Sequence, residues 1–201
     1  AAATMYLKQI SNAPPWTAWI NVGIAGHGKN DYGKLFIIDK ILDKSTHHTW
    51  YPAPAITSSI DRQSLCTVDY PETTYCGEDL FDMEGSSFFQ ISSNLSCQQL
   101  ILILKIVSDG PNFDLNNLTR NKISNLITSN IEKIYSTATN MEHLSQKENR
   151  RLNLPKSYFS ITNNWHFGQT RSHKLKDILR RWQAVYPDQD PMSHLSGIGD
   201  A

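Results

Sequence analysis

The sequence predicts an α/β domain with a mixed central β-sheet flanked by helices. Three observations carry that prediction. The run Leu100-Ile101-Leu102-Ile103-Leu104-Lys105-Ile106-Val107 is almost unbroken in apolar character, as in a strand buried on both faces. Segments of strand type alternate along the chain with segments of helical spacing. The strand-like Trp19-Ile20-Asn21-Val22 runs directly into a glycine-rich stretch, Gly23-Ile24-Ala25-Gly26-His27-Gly28.

The elements follow in order. Residues 1–9 have helix character, and Asn12 to Pro15 break it. A strand over Trp19–Val22 leads into a glycine turn at 23–28. Gly33 precedes a second strand, Lys34 to Ile41. Residues 43–63, with Pro52, Pro54 and many hydroxyl side chains, read as a loop. Ser64–Val68 is a third strand, ended by Asp69-Tyr70-Pro71. Asp82-Met83-Glu84-Gly85 opens a helix whose Phe88, Ile91 and Leu95 share a face. The strand through Leu100–Val107 ends on Ser108-Asp109. Ile123, Ile127, Ile131 and Ile134 predict one long helix. The polar residues 141–155 predict a linker. Leu175, Ile178, Leu179 and Trp182 predict a final amphipathic helix, and a polar tail follows Pro187. The domain division expected is 1–140 for the α/β domain and 141–201 for the linker, helix and tail.

Composition narrows the function classes. The formal net charge is zero, so broad attraction to nucleic acid or to a membrane surface is not expected. No apolar run is long enough to cross a bilayer as a helix. Cys66, Cys76 and Cys97 lack metal-type spacing and read as reduced thiols of a cytoplasmic protein. In that setting the sequons at Asn94 and Asn117 are incidental. His27, His47 and His48 have no partner cluster, so no metal or cofactor is implied. A dinucleotide site would need a helix straight after the glycines, and a strand follows instead.

Two carboxylates stand out. Open α/β sheets bind ligands beyond the carboxyl ends of their strands, where Asp109 lies. Glu84 stands at a helix start. Each residue alone fits a capping role, Glu84 at a helix N-terminus and Asp109 in a turn before Gly110-Pro111.

In their order along the chain, five pieces resemble the purine nucleoside phosphorylase and methylthioadenosine/S-adenosylhomocysteine nucleosidase superfamily. They are Ile20-Asn21-Val22-Gly23-Ile24-Ala25-Gly26, Gly33 with its strand, Thr67-Val68-Asp69, Asp82-Met83-Glu84-Gly85 and Val107-Ser108-Asp109. The resemblance spans roughly residues 1–140 and implies a nucleoside phosphorylase-like fold. It also implies roles. Met83 would pack on the ribose and Glu84 would accept hydrogen bonds from its hydroxyls. Asp109 would protonate the purine leaving group, with Ser108 positioning it. Ala25 and Gly26 would line the sugar side, and Tyr70 and Pro71 would contact the base. To act as that acid, Asp109 must carry a proton when substrate is bound.

The resemblance lacks the family's first strands, with the glutamate that activates water or the residues that bind phosphate. The chain resembles an N-terminally incomplete member, short of roughly 50–70 residues by ordinary domain size. An open sheet edge, and an inactive or poorly folded chain, are therefore expected. Ile24 supplies no hydroxyl, and no arginine lies near residues 23–28. Both points favour water over phosphate as co-substrate. The implied activity is hydrolysis of a purine nucleoside or 5′-substituted adenosine. The alternatives are a phosphorylase and an inactive nucleoside-binding protein. The resemblance further implies a homodimer or higher homo-oligomer.

Overall fold

The computed structural model describes residues 1–29, 32–75, 77, 79–111 and 118–194. They divide into two compact units, Ala1–Gln146 and Lys147–Ala201.

The first unit is built on a mixed six-stranded sheet with flanking helices. Its strands are β1 (Trp19–His27), β2 (Leu35–Asp43), β3 (Thr49–Trp50), β4 (Arg62–Thr67), β5 (Leu80–Asp82) and β6 (Ile101–Asp109). The spatial order is β3-β2-β4-β5-β1-β6, and β2 also pairs with β6. That last pairing joins Leu35 to Ile106 and Ile37 to Leu104, so β1, β5, β4, β2 and β6 form a closed ring. Closure removes most of the edge that the sequence led us to expect. Among the described residues, β1 from Trp19 to Ala25 still pairs on one side only, with β6.

The sheet is buried on both faces. Along β6, Ile101, Ile103 and Val107 join a core with Phe36, Ile38, Leu65 and the α2 (Gly85–Ser92) residues Phe88 and Phe89. The alternate residues Leu102, Leu104 and Ile106 join a second core with Leu35, Ile37, Leu126 and Met141. Apolar residues on both faces, interrupted by Lys105, are the pattern of a strand covered on each side.

Five expectations are corrected. The glycine stretch 23–28 is largely strand, because its backbone pairs with β6 from Gly23 to Gly26. The segment Leu80–Asp82 is a short strand, β5, between β4 and β1, so Asp82 closes a strand rather than opening the helix. The predicted long helix is two helices, α3 (Arg120–Ser129) and α4 (Ile131–Leu152). Between them the backbone of the buried Asn130 leaves helical geometry, and its Nδ2 donates to the carbonyls of Gly33 and Leu126. The predicted linker is helical as far as Leu152, because Met141 is fully buried and Glu148 and Arg151 pair one turn apart. Within residues 43–63, Thr49–Trp50 pairs antiparallel with β2.

Preceding the sheet is α1 (Ala2–Ser11). The second unit holds α5 (Lys156–Asn164) and α6 (Gln169–Val185), followed by a 3-10 turn at Pro191–His194. The amphipathic helix predicted from Leu175 to Trp182 is α6, and α5 had no clear sequence signal. Residues 195–201 of the expected tail lie outside the described residues.

Candidate active site

The carboxyl ends of β1, β4, β5 and β6 surround a cavity of about 370 Å³. That is within the ordinary range for a small-molecule site. Its lining includes Ile24, Ala25 and Gly26 from β1, Met83 and Glu84 from the β5–α2 junction, and Ser108 and Asp109 from β6. Pro71, Glu72 and Tyr75 come from the segment after β4, and Val68, Phe81 and Leu118 complete the apolar wall.

A register shift places the β6 pair. Ala25 is opposite Val107, but Gly26 is opposite Asp109, so Ser108 is an extra residue in the ladder. In a regular strand Ser108 and Asp109 would point to opposite faces. The bulge re-aims them, and both line the cavity. Asp109 is only 5% exposed. Ser108 Oγ donates to Asp109 Oδ1, and Tyr75 Oη donates to Asp109 Oδ2 at 2.6 Å.

The other acidic motif separates into two roles. Asp82 is fully enclosed and accepts from Thr67 Oγ1 at 2.8 Å, from Gly85 N at 2.9 Å and from Lys105 Nζ at 2.8 Å. Lys105 is equally buried, so each charge neutralises the other where water cannot. Thr67 Oγ1 also accepts from Ser86 N at 3.0 Å, and Ser86 Oγ donates to Asp43 Oδ2 at 2.7 Å. Burial works against the Asp43 carboxylate, but hydrogen bonds from Ser86, Thr46 and Ser45 outweigh it and hold Asp43 well below the usual carboxylate range. This network fixes the first turn of α2. Met83 and Glu84 sit just before that turn, exposed toward the cavity, and Glu84 is the N-cap residue.

Four carboxylates therefore reach the cavity, and two are committed. Asp82 is held by Lys105. Glu72 is bound by Thr74 Oγ1 at 2.6 Å, by Thr74 N at 2.9 Å and by Lys44 Nζ at 3.1 Å, which lower its carboxyl to about 2. Glu84 and Asp109 have no cationic partner among the described residues. No lysine, arginine or histidine lines the cavity among the described residues. His27 is buried near the end of β1, where its Nδ1 accepts from Lys29 N at 2.8 Å.

Of the residues singled out from sequence, Ala25, Gly26, Pro71, Met83, Glu84, Ser108 and Asp109 line this one cavity. Tyr70 does not; it is 82% exposed. The tyrosine in the cavity is Tyr75, which no motif marked. Its placement depends on the turn after Pro71. Lys105 also escaped notice, because a lone lysine in an apolar strand gives no hint of its partner.

No family model matches the chain, and no curated protein matches it. Solved structures do. A structure of the MTAN of Chlamydia trachomatis superposes with a TM-score of 0.52 at 21% identity, covering 67% of this chain and 73% of that one. The same protein bound to adenine gives 0.50 at 22% identity over the same shares. Its complex with MTA gives 0.48 at 23% identity, covering 59% of this chain, which spans 65% of that chain's length. The fold of this protein is thus similar to that of the Chlamydia trachomatis MTAN. The particular proteins it superposes on are methylthioadenosine nucleosidases.

Proposed function

We propose that this protein is an N-ribosyl hydrolase acting on a purine nucleoside or a 5′-substituted adenosine. One observation carries the reading. Glu84 and Asp109 are two carboxylates of a single cavity that hold no cation among the described residues, one solvent-facing and one buried.

The chemistry needs two unlike groups. As the bond between N9 and C1′ breaks, its electron pair goes to the base and positive charge grows on the sugar. Asp109, in the buried and largely apolar end of the cavity, gives a proton to the leaving purine at N7. Glu84 accepts hydrogen bonds from the ribose hydroxyls, and its charge favours the cationic sugar. Met83 packs on the sugar. The oxygen of water ends on C1′ as a hydroxyl, and the proton that water loses passes to solvent, from which Asp109 is reprotonated.

The absence of a cationic side chain in the described lining favours water over phosphate, since phosphate sites recruit arginine or lysine. The similar Chlamydia protein has been captured with MTA and with adenine, which supports this substrate class.

Base release from methylthioadenosine, adenosine and inosine, followed by chromatography in phosphate-free buffer, tests the proposal. Adenine or hypoxanthine should appear together with free sugar. Release only when phosphate is added, with a sugar 1-phosphate product, would instead make the protein a phosphorylase. Binding without release would make it a nucleoside-binding protein.

A further inference from the structure

Each oxygen of the buried acid already accepts one hydrogen bond. Ser108 Oγ holds one oxygen of Asp109, and Tyr75 Oη holds the other at 2.6 Å. A purine ring nitrogen that approaches this carboxyl from the cavity meets the tyrosine hydroxyl at Oδ2. Ser108 is the neighbouring residue on β6, fixed by the strand. Tyr75 comes from a separate segment and lines the cavity with its ring edge-on to Phe81, the centroids 6.2 Å apart.

The protein is shaped around this tyrosine. A Cβ on Gly26 would lie 2.6 Å from the Tyr75 ring and 2.5 Å from Asp109 Oδ2. One on Gly28 would lie 2.6 Å from the Tyr75 carbonyl oxygen. Any side chain at either position would push Tyr75 off the acid. The glycines that resemble a ligand-cradling turn thus make room for Tyr75 as well. Tyr75 itself has a left-handed backbone, φ 47°, which is uncommon for a bulky residue. Just ahead of it, Glu72 pins the segment by accepting from Thr73 N, Thr74 N and Thr74 Oγ1.

We propose that Tyr75 is a positioning residue that caps Asp109 at the place of the purine ring nitrogen, and that base binding displaces its hydroxyl. This rests on the purine reading of the cavity. The anchored backbone at Glu72 confines the motion to the Tyr75 side chain. The hydroxyl keeps the buried carboxyl satisfied until a base arrives, and competes with that base for Oδ2.

Adenine binding measured by calorimetry on the full chain tests this. Tyr75→Phe keeps the ring and removes the competitor, so it should bind adenine roughly three- to tenfold tighter than the unaltered protein. In an Asp109→Ala background the same change should make no difference, because the contested oxygen is gone. A loss of packing alone would weaken binding, so the direction separates the two roles. Equal or weaker adenine binding by Tyr75→Phe overturns the proposal and leaves the nucleosidase reading standing. Failure of the unaltered protein to bind any purine overturns both. A 3-fluorotyrosine at position 75 avoids dependence on a variant's folding: its fluorine signal should shift when adenine is added, and an unmoved signal with adenine bound refutes displacement.

Discussion

The two units of this chain use very different means. Residues 1–146 enclose a closed ring of strands between two apolar cores, with Ile37, Leu102 and Leu104 wholly buried. In residues 147–201 the buried apolar side chains among the described residues are Ile161 and Leu179, and neither is wholly buried. Phe159, Ile178 and Val185 of that unit are more than half exposed. Its contacts are of another kind: Trp182 lies against Tyr186 and His194, and Lys176 sits over the Tyr158 ring. Charge divides in the same way. The first unit carries 10 basic and 14 acidic residues, the second nine basic and five acidic, so the zero formal charge is a balance of opposite halves. Burial is the difference that matters for chemistry. Among the described residues the buried ion pair and the buried Asp109 carboxyl both lie in the first unit, which holds the candidate site.

The largest effect should fall on activity. Asp109→Asn removes the proposed acid, and base release should drop by about 10² to 10⁴-fold in a steady-state assay. A loss smaller than tenfold would end the acid role.

Breaking the buried pair comes next. Lys105→Met leaves Asp82 enclosed without its cation, and should cost about 3–5 kcal/mol in denaturant unfolding. If the cost falls below about 1 kcal/mol, Asp82 has found other compensation.

The same truncation in each unit then tests the comparison directly. Leu104→Ala should cost about 2–5 kcal/mol because its surroundings cannot collapse onto the gap. Leu179→Ala should cost less, since the sparsely packed second unit can relax. Equal losses would show that burial depth does not separate the two.

A pH titration gives a smaller, local effect. Hydrogen bonds from the Thr74 side chain, the Thr74 N–H and Lys44 lower Glu72 from its usual 4.5 to about 2. The segment therefore favours the ionised form. Its contribution is complete above about pH 4.5 and is lost as the pH falls toward 2. A fluorine label on Tyr75 should report the segment loosening across that range, and a signal unchanged down to pH 2 would contradict it.

The smallest effect is expected on the second unit's surface. Arg151 pairs with Glu148 at 2.6 Å, but the arginine is 66% exposed. Arg151→Ala should change stability by less than about 1 kcal/mol by the same unfolding measurement.

Much of the site was legible because the sheet geometry is local in sequence. An apolar run that ends on Ser108-Asp109 must place those residues at a strand end. Asp82-Met83-Glu84-Gly85 must lie where one element stops and a helix begins. What escaped sequence reasoning involves pairs far apart in the chain. Tyr75 meets Asp109 across 34 residues, and Lys105 meets Asp82 between two different strands. The distinction between Tyr70 and Tyr75 turned on a few residues of loop, where no periodicity applies. Residues 141–152 misled for the opposite reason: they are polar on most faces, and Met141 with Leu144 is a thin apolar signal for a helix.

By itself the sequence determined that β6 is buried on both faces, that a carboxylate ends it, and that Glu84 heads a helix. Those follow from side-chain chemistry at fixed short spacing. Only the tertiary structure decided which carboxylates are spent and which are available. Ring closure through β2 and β6 encloses the sheet, the Ser108 bulge turns Asp109 into the cavity, and Lys105 takes Asp82 out of play. A charge's role depends on what lies within a few ångströms of it, and folding alone sets that.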